Sequence, residues 1–386
     1  MRIGIDARVL SEGNGGVFVY AKNLLERLIP LGAGHEFRIF ANQWSRQDNG
    51  VIRSLARHPN ARLHQYMFPN KFLNASFRFK AWPKIDELLG GCDVLFFPSM
   101  MYGAWSQQTT TVLTMHDLSY EFFPQYFTLR QRLWHALMDP RRLCERADAV
   151  IAVSESTRQD VIAAYGIGGD KVYTVHSGIG SAFRPIIDST VLARVRATYG
   201  LPRGRYILQS GTINPRKNCE ATLAAFAHLA AHYPSDVADV RLLFAGHRGW
   251  KSGGLFRAVR ESEFRDRIHV VREVPEAELP ALYSLASVVA YPSFYEGFGF
   301  PVLEAFSCGI PVVTSATSSL GEIARGAALL VNPHRVDELA FALREILTKP
   351  SVARRLRAAG LLASTGFGWD KTAQDTLSVI EHAHRH

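Results

Sequence analysis

This 386-residue chain lacks several things, and each absence excludes a class of protein. The four cysteines, Cys92, Cys144, Cys219 and Cys308, lie far apart and form no C-x-x-C. A disulfide framework and the usual zinc spacings are therefore excluded, and the thiols read as buried groups of a reducing compartment. No apolar run approaches the roughly 18–20 residues that span a bilayer. The opening stretch, MRIGIDARVL, has Asp6 and Arg8 where a secretory leader needs apolar residues, so the expected location is cytoplasmic. The first glycine loop, GNGG, does not have the spacing G-x-G-x-x-G, and the second strand ends near FANQ with no acid at the position that would hold a ribose, which argues against a dinucleotide-dependent dehydrogenase. D-x-D is also absent, so no such carboxylate pair is available for a divalent cation.

Acidic residues are scarce in one window. Between Arg46 and Lys84 stand eight Lys/Arg (Arg46, Arg53, Arg57, Arg62, Lys71, Arg78, Lys80 and Lys84) against Asp48 alone, a net of +7 in a chain of net +9. Phe68, Phe72, Phe77, Phe79 and Trp82 interleave with these cations. Basic plus aromatic suits an anionic membrane surface. The alternative is a solvated face with its aromatics turned into the core. Nucleic acid is not expected, because no nucleic-acid motif accompanies the charge.

What is present is a rhythm of short apolar runs and longer amphipathic stretches. RIGIDA, EFRIFA, DVLFFPS, TVLTMHD, AVIAVS and VYTVHSG are expected strands of the first half. YILQSG, VRLLFAG, IHVVREV, VVAYPS, PVVTS and ALLVNP are expected strands of the second. Continuous apolar strands suit parallel sheets covered on both faces, hence an α/β fold of two Rossmann-like domains. The divisions expected are 1–183, a linker over 184–203, 204–365, and a final helix over 366–386 packing back on the first domain. His382, His384 and His386 read as a frayed polar end rather than a metal site.

Five stretches carry chemistry. SFYEGFGFPVLEAFSCGIPVVTS places Glu296 in a glycine loop at a strand's C-terminal end and Glu304 about one turn inside the next helix. Open α/β sheets bind ligands at such strand ends. The backbone of Gly297, Phe298 and Gly299 suits an anion at that helix start. SGTINPRKN places Arg216 and Lys217 side by side after Gly211, at an expected helix N-terminus. Adjacent cations repel unless something negative lies between them, and a diphosphate would serve. A solvated basic turn is the alternative. GNGGVFVY (Gly13–Tyr20) is a second glycine loop, with Gly15 and Gly16 at its end. TMHD places His116 and Asp117 at a strand end, and VSESTRQD places Ser154 and Glu155 at another.

Together GNGG, HDLS, AVIAVSESTRQD, GTINPRKN and EGFGFPVLEA, with its E-x7-E spacing, resemble the retaining, metal-independent family 4 glycosyltransferases of GT-B fold, over essentially the full length. HDLSYEFFPQYF and GTINPRKN most resemble bacterial O-antigen and exopolysaccharide mannosyltransferases. The resemblance implies two Rossmann-like domains facing a central cleft, the first on the acceptor side, and no cofactor or metal. It implies a nucleotide-sugar donor, GDP-mannose by preference over a UDP-sugar, and a saccharide acceptor, lipid-linked in such relatives. It places the enzyme at the inner face of the plasma membrane, with Lys71, Arg78, Lys80 and Lys84 toward the acceptor and the lipid. Arg216 and Lys217 would hold the diphosphate, Glu296 would face the donor sugar and Glu304 the ribose. Gly297, Phe298 and Gly299 would surround sugar and phosphate, His116 would touch the sugar, and Gly15 and Gly16 would lie beside phosphate and acceptor. Many relatives separate the two cations that here are adjacent. A nucleotide-sugar epimerase, a phosphorylase or a non-catalytic sugar-nucleotide-binding module are the other classes left open.

Overall fold

The computed structural model describes residues 1–11, 15–43 and 50–385. Gly13 of the first glycine loop and Arg46 of the basic window lie outside them. The chain divides into two units: residues 1–118, 129–178 and 368–386 form the first, and residues 119–128 and 179–367 the second.

The first unit holds a seven-stranded sheet. Its strands are β1 (Arg2–Asp6), β2 (Glu36–Asn42), β3 (Ala61–Tyr66), β4 (Val94–Phe97), β5 (Thr110–Met115), β6 (Ala149–Ala152) and β7 (Val172–Thr174). They run in the order β3-β2-β1-β4-β5-β6-β7, every pair parallel. The second unit holds β8 (Arg205–Ser210), β9 (Val240–Ala245), β10 (Ile268–Val271), β11 (Val288–Tyr291), β12 (Val312–Ser315) and β13 (Leu329–Val331), ordered β10-β9-β8-β11-β12-β13 and again parallel. The central strands β4, β6, β11 and β12 are buried at every residue, as a parallel sheet with helices on both faces requires.

In each sheet the strand order reverses once, between β1 and β4 and between β8 and β11. Neighbouring connections leave such a point in opposite directions, which opens a crevice at the strands' C-terminal ends. In the second unit the two loops bordering that point are those after β8 and β11, which carry Arg216–Lys217 and Glu296.

Several boundaries differ from the sequence reading. β3 was not anticipated: it is a half-buried edge strand with Arg62, His64 and Gln65, so it lacks a continuous apolar run. The stretch expected as a linker, 184–203, contains the helix Ser189–Thr198, capped by Asp188, and belongs to the second unit. Residues 119–128 also belong to the second unit, although the chain on either side belongs to the first. The terminal helix Trp369–Arg385 packs on the helix Gly16–Leu31 and on β5 and β6. It does not fray before its last described residue, and His382 lies edge-on to Tyr173 at 5.8 Å. His386 lies outside the described residues. The four cysteines are buried free thiols.

Close backbone approach places one glycine that the sequence reading did not single out. Gly246, just after β9, has φ +150°, and a Cβ there would lie 2.1 Å from the Gly211 carbonyl oxygen. Gly211, at φ +113°, donates its N–H to Ala245 O at 2.8 Å. The two loops therefore fit together only without a side chain at position 246. Gly246→Ala is expected to destabilise the protein by at least about 2 kcal/mol, because neither the strained φ nor the backbone clash can relax locally. Equilibrium urea unfolding checks this, and a midpoint equal to wild type at an equal slope would refute it.

Candidate functional site

The site is built from the loops on either side of the second unit's switch point. After β8, Ser210 and Gly211 lead to a single 3-10 turn, Pro215–Lys217. The basic pair thus lies in a separate turn directly ahead of the N-terminus of the helix Cys219–His232. Asn218 makes the break. It takes a left-handed conformation (φ 54°), and its amide donates to Pro292 O at 3.1 Å and Pro333 O at 2.7 Å. Asparagine tolerates that region better than most residues.

After β11 comes the glycine loop. Glu296 is buried, and its carboxylate lies between the two cations. Arg216 Nη1 donates to Oε2 at 2.7 Å and Lys217 Nζ to Oε1 at 2.6 Å. The Tyr291 hydroxyl donates to Oε1 at 3.1 Å, and Lys217 Nζ also reaches that hydroxyl. Arg216 is held further, since Nη1 donates to Tyr295 O and its carbonyl accepts from Phe294 N at 3.0 Å. Burial alone would push the Glu296 carboxyl up. Arg216 and then Lys217 outweigh it and hold the group down at about 2. The negative group that the adjacent cations require is therefore supplied by the protein itself. The sequence reading assigned that place to a diphosphate and gave Glu296 a different task.

A second row of residues, absent from the sequence reading, fixes the glycine loop. Thr314 Oγ1 donates to Tyr291 O at 2.8 Å, Ser315 Oγ to Ser293 O at 2.6 Å, and Thr317 Oγ1 to Phe294 O at 3.1 Å. Ser319 Oγ donates to the carbonyls of Glu296 and Phe298, each at 2.8 Å. Ser318 Oγ accepts from Glu296 N at 2.9 Å, and Ser318 has φ 52°, unusual for a residue with a Cβ. The hydroxyl-rich run TSATSS carried this signal, but it reads equally as an ordinary loop.

Gly299 (φ +107°) starts the helix Phe300–Ser307, and a Cβ there would lie 2.7 Å from Leu320 Cδ2. Gly297 and Phe298 are buried in the same loop. Phe298 packs on Phe300 and Phe367. Glu304, one turn into that helix, accepts from the Tyr283 hydroxyl at 2.6 Å. Burial pushes its carboxyl up to about 7, against the lowering effect of that hydrogen bond. The two acids of the E-x7-E pattern therefore differ in state: Glu296 is ionised throughout the physiological range and Glu304 is half-protonated near neutrality.

The remaining expected residues belong to the first unit. Gly15 (φ +89°) precedes the helix Gly16–Leu31, and both glycines are exposed at its N-terminus. His116 follows β5. Its Nε2 donates to Pro98 O at 2.9 Å, and burial lowers its pKa, so the ring is neutral and Nδ1 is its acceptor. Ser154 caps the helix Glu155–Tyr165 by accepting from Thr157 N at 3.1 Å. Glu155 accepts from Gln159, Arg158 and Thr174. That pair serves the helix start. Lys71, Arg78 and Lys80 lie on the helix Asn70–Lys80, and Lys84 pairs with Glu87 at 3.3 Å. Of the window's aromatics only Phe77 is buried; Phe72, Phe79 and Trp82 are 77%, 75% and 62% exposed. Among the described residues no group of three His, Cys, Asp or Glu is placed to hold a metal ion, and no helix is long and apolar enough to cross a membrane.

The shifted Glu304 gives a direct check. In carbon-detected NMR its carboxyl is expected to titrate with a midpoint about 7, and Tyr283→Phe should move that midpoint higher by removing a hydrogen bond to the ionised form. Because the folded value exceeds the unfolded one, the protonated group's contribution to stability is full below the ordinary glutamate range and is lost as pH rises through about 7. Glu304→Gln should therefore be more stable than wild type at pH above about 8, by thermal unfolding, and lose that advantage in acid. An ordinary midpoint near that of free glutamate would refute the assignment.

Comparison with known proteins agrees with this architecture. Residues 195–361 match the family described as glycosyl transferases group 1, and residues 14–182 match glycosyltransferase family 4. O-antigen chain mannosyltransferase B of Escherichia coli is 31% identical over 274 residues, 70% of this chain and 70% of that protein. Serotype-specific mannosyltransferase WbdA of Escherichia coli is 34% identical over 235 residues, 59% of this chain but 28% of WbdA. Among solved structures, sucrose-phosphate synthase from Thermosynechococcus elongatus shares the fold with a TM-score of 0.74 at 22% identity, covering 99% of this chain and 98% of that one. Two parallel-sheet units of this order, the two matched halves and the 31% relative together show that the chain is a GT-B protein belonging to the family 4 (group 1) glycosyltransferases.

Proposed function

We propose that this glycosyltransferase moves mannose, with retention and without a metal, from GDP-mannose to a lipid-linked saccharide in the synthesis of a bacterial surface polysaccharide. The Glu296–Arg216–Lys217 group at the switch point carries the reading, because two fixed cations and a loop backbone suit a diphosphate. Mannose is favoured by the names of the two Escherichia coli relatives. In the proposed step the bond from the sugar's anomeric carbon to the β-phosphate oxygen breaks. A bond to the acceptor hydroxyl forms on the same face, and the acceptor's proton passes to the departing phosphate. Arg216 and Lys217 stabilise the charge developing there, in the role a metal ion plays elsewhere. Glu296 serves the sugar end, Glu304 the ribose hydroxyls and Gly211 the close approach of the phosphate. Nδ1 of His116 accepts from the donor sugar, and Gly15 and Gly16 border the phosphate and acceptor.

Arg216→Ala and Lys217→Ala should each weaken nucleoside-diphosphate binding and rate, by about 2–4 kcal/mol in the transition state. Glu296→Gln should lose most turnover with a smaller loss of nucleotide affinity. Titration calorimetry with GDP and UDP, and turnover with EDTA present, complete the test. Near-normal activity in either basic variant removes the diphosphate assignment. Tighter UDP binding moves the donor to a UDP-sugar, and loss in EDTA restored by Mg²⁺ overturns metal independence.

The first unit's surface supports the reading of a membrane-attached acceptor. The helices Asn70–Lys80 and Leu129–Met138 contain no acid, and both expose apolar side chains beside cations. On the second, Leu129, Leu133 and Leu137 recur every fourth residue and are all exposed, Leu129 at 79%. Such a surface suits an anionic bilayer, where each cation contributes about 1 kcal/mol. Salt-sensitive binding to vesicles containing anionic lipid is expected, with little to neutral vesicles. Replacing Lys71, Arg78, Lys80 and Lys84 by Glu should abolish it and leave nucleotide affinity unchanged. Equal co-sedimentation of both proteins would make the window a solvated face.

A further inference from the structure

The segment 119–128, SYEFFPQYFT, leaves the first unit directly after His116, Asp117 and Leu118, packs within the second unit, and returns. Its rings pack on Phe294, Tyr295 and Trp250. Phe122 and Phe123 both pack against Tyr295, with centroids at 5.9 and 5.7 Å. Phe123 stacks on Tyr126 at 5.7 Å, and Tyr126 stacks on Phe294 at 5.4 Å. Phe127 stacks on Trp250 at 5.8 Å. Two side chains clamp the segment's backbone: Trp250 Nε1 donates to Tyr126 O and Lys251 Nζ to Gln125 O, both at 2.7 Å. Phe294 and Tyr295 are the two residues before Glu296. They also bind Arg216 twice, since Phe294 N donates to the Arg216 carbonyl and Tyr295 O accepts from its guanidinium. His334 adds a further ring against Phe294, at 4.9 Å.

We propose that residues 119–128 are a positioning element of the donor site, whose aromatic contacts on Phe294 and Tyr295 hold Arg216 and Glu296 in the geometry that receives the donor diphosphate. This rests on the reading of Glu296, Arg216 and Lys217 as the diphosphate site. Offset aromatic pairs contribute about 0.5–1.5 kcal/mol each beyond their burial, so several together can select one loop conformation. Small displacements of a binding group have large kinetic effects, which makes the loop's position matter more than its stability. The segment itself makes no contact with the reacting atoms in this account. It acts through the two residues it covers.

The test is steady-state kinetics with the full-length protein, with GDP calorimetry and thermal unfolding alongside. The double variant Phe123→Ala, Tyr126→Ala is expected to raise the donor KM and the GDP Kd about tenfold, leaving the acceptor KM within about twofold. Tyr126→Phe, which keeps the stack, should be near wild type. Phe341→Ala, an exposed ring elsewhere in the second unit, should change neither. If the double variant does not fold, Trp250→Phe and Lys251→Ala decide, since each removes one clamp and keeps the rings; about a threefold rise in donor KM alone is expected. An unchanged donor KM overturns the proposal. So does a parallel loss of donor affinity, acceptor affinity and melting temperature that Tyr126→Phe shares, because that is general destabilisation. If Arg216→Ala leaves GDP binding intact, the underlying reading falls and this proposal with it. If Arg216→Ala abolishes GDP binding while the segment variants bind GDP normally, only the positioning role falls.

Discussion

The site depends on one buried carboxylate held between two adjacent cations. Glu296 takes Arg216 on one oxygen and Lys217 on the other, with the Tyr291 hydroxyl as a third donor. The two cations repel each other in a half-buried turn without it, and burial would keep the acid from ionising readily without them. Removing one partner of such a group leaves uncompensated buried charge, which costs more than the pair contributes. Sequence separation makes the constraint global: the loop after β8 and the loop after β11 must meet, and they do so because their strands are neighbours across the point where the sheet order reverses.

The surroundings are arranged to keep that meeting in place. Hydroxyls from Thr314 to Ser319 bind the carbonyls of the glycine loop from one side. Asn218 ties the basic turn to Pro292 and Pro333 from another. Positive φ at Asn218 and Ser318, where a Cβ makes that conformation costly, fits a loop whose geometry is set by many bonds rather than by local preference. Gly211 and Gly246 meet backbone to backbone beneath the same loops. On the proposed function, an arriving diphosphate meets cations already fixed in place, which it shares with the Glu296 carboxylate.

Much of the fold was legible because its strands are short apolar runs in a two-sided parallel sheet. Twelve such runs, RIGIDA through ALLVNP, correspond to strands, and the unread thirteenth, β3, is the half-buried edge strand whose polar residues belong to the basic window. The helix Ser189–Thr198 was hidden by the flanking stretches around Pro185 and Pro202, which read as a break. The residues of the basic turn, the glycine loop and the E-x7-E helix were legible because glycine, proline and adjacent charges restrict what a loop can be. Their mutual partners were not. A local reading sees that two cations need an anion, but cannot see that a residue 79 positions later supplies it. Nor can it see that ten residues in the first half of the sequence pack in the second unit, because aromatic side chains suit any core.

On the proposed function, a counter-anion built into the diphosphate site changes what the donor must do. The cations already have a partner, so an incoming diphosphate competes with the Glu296 carboxylate rather than filling an empty field. The net charge of Glu296, Arg216 and Lys217 is that of one cation, so attraction persists but is moderated. On the proposed function, a diphosphate that draws Arg216 or Lys217 toward itself loosens their hold on Glu296, and the carboxylate becomes available to the sugar that the diphosphate carries. A free nucleoside diphosphate engages the same cations but presents no sugar to the released acid. On that function the arrangement would couple recognition of the phosphate to exposure of the acid, through the side-chain contacts of 2.6–2.7 Å that join Glu296 to its two cations.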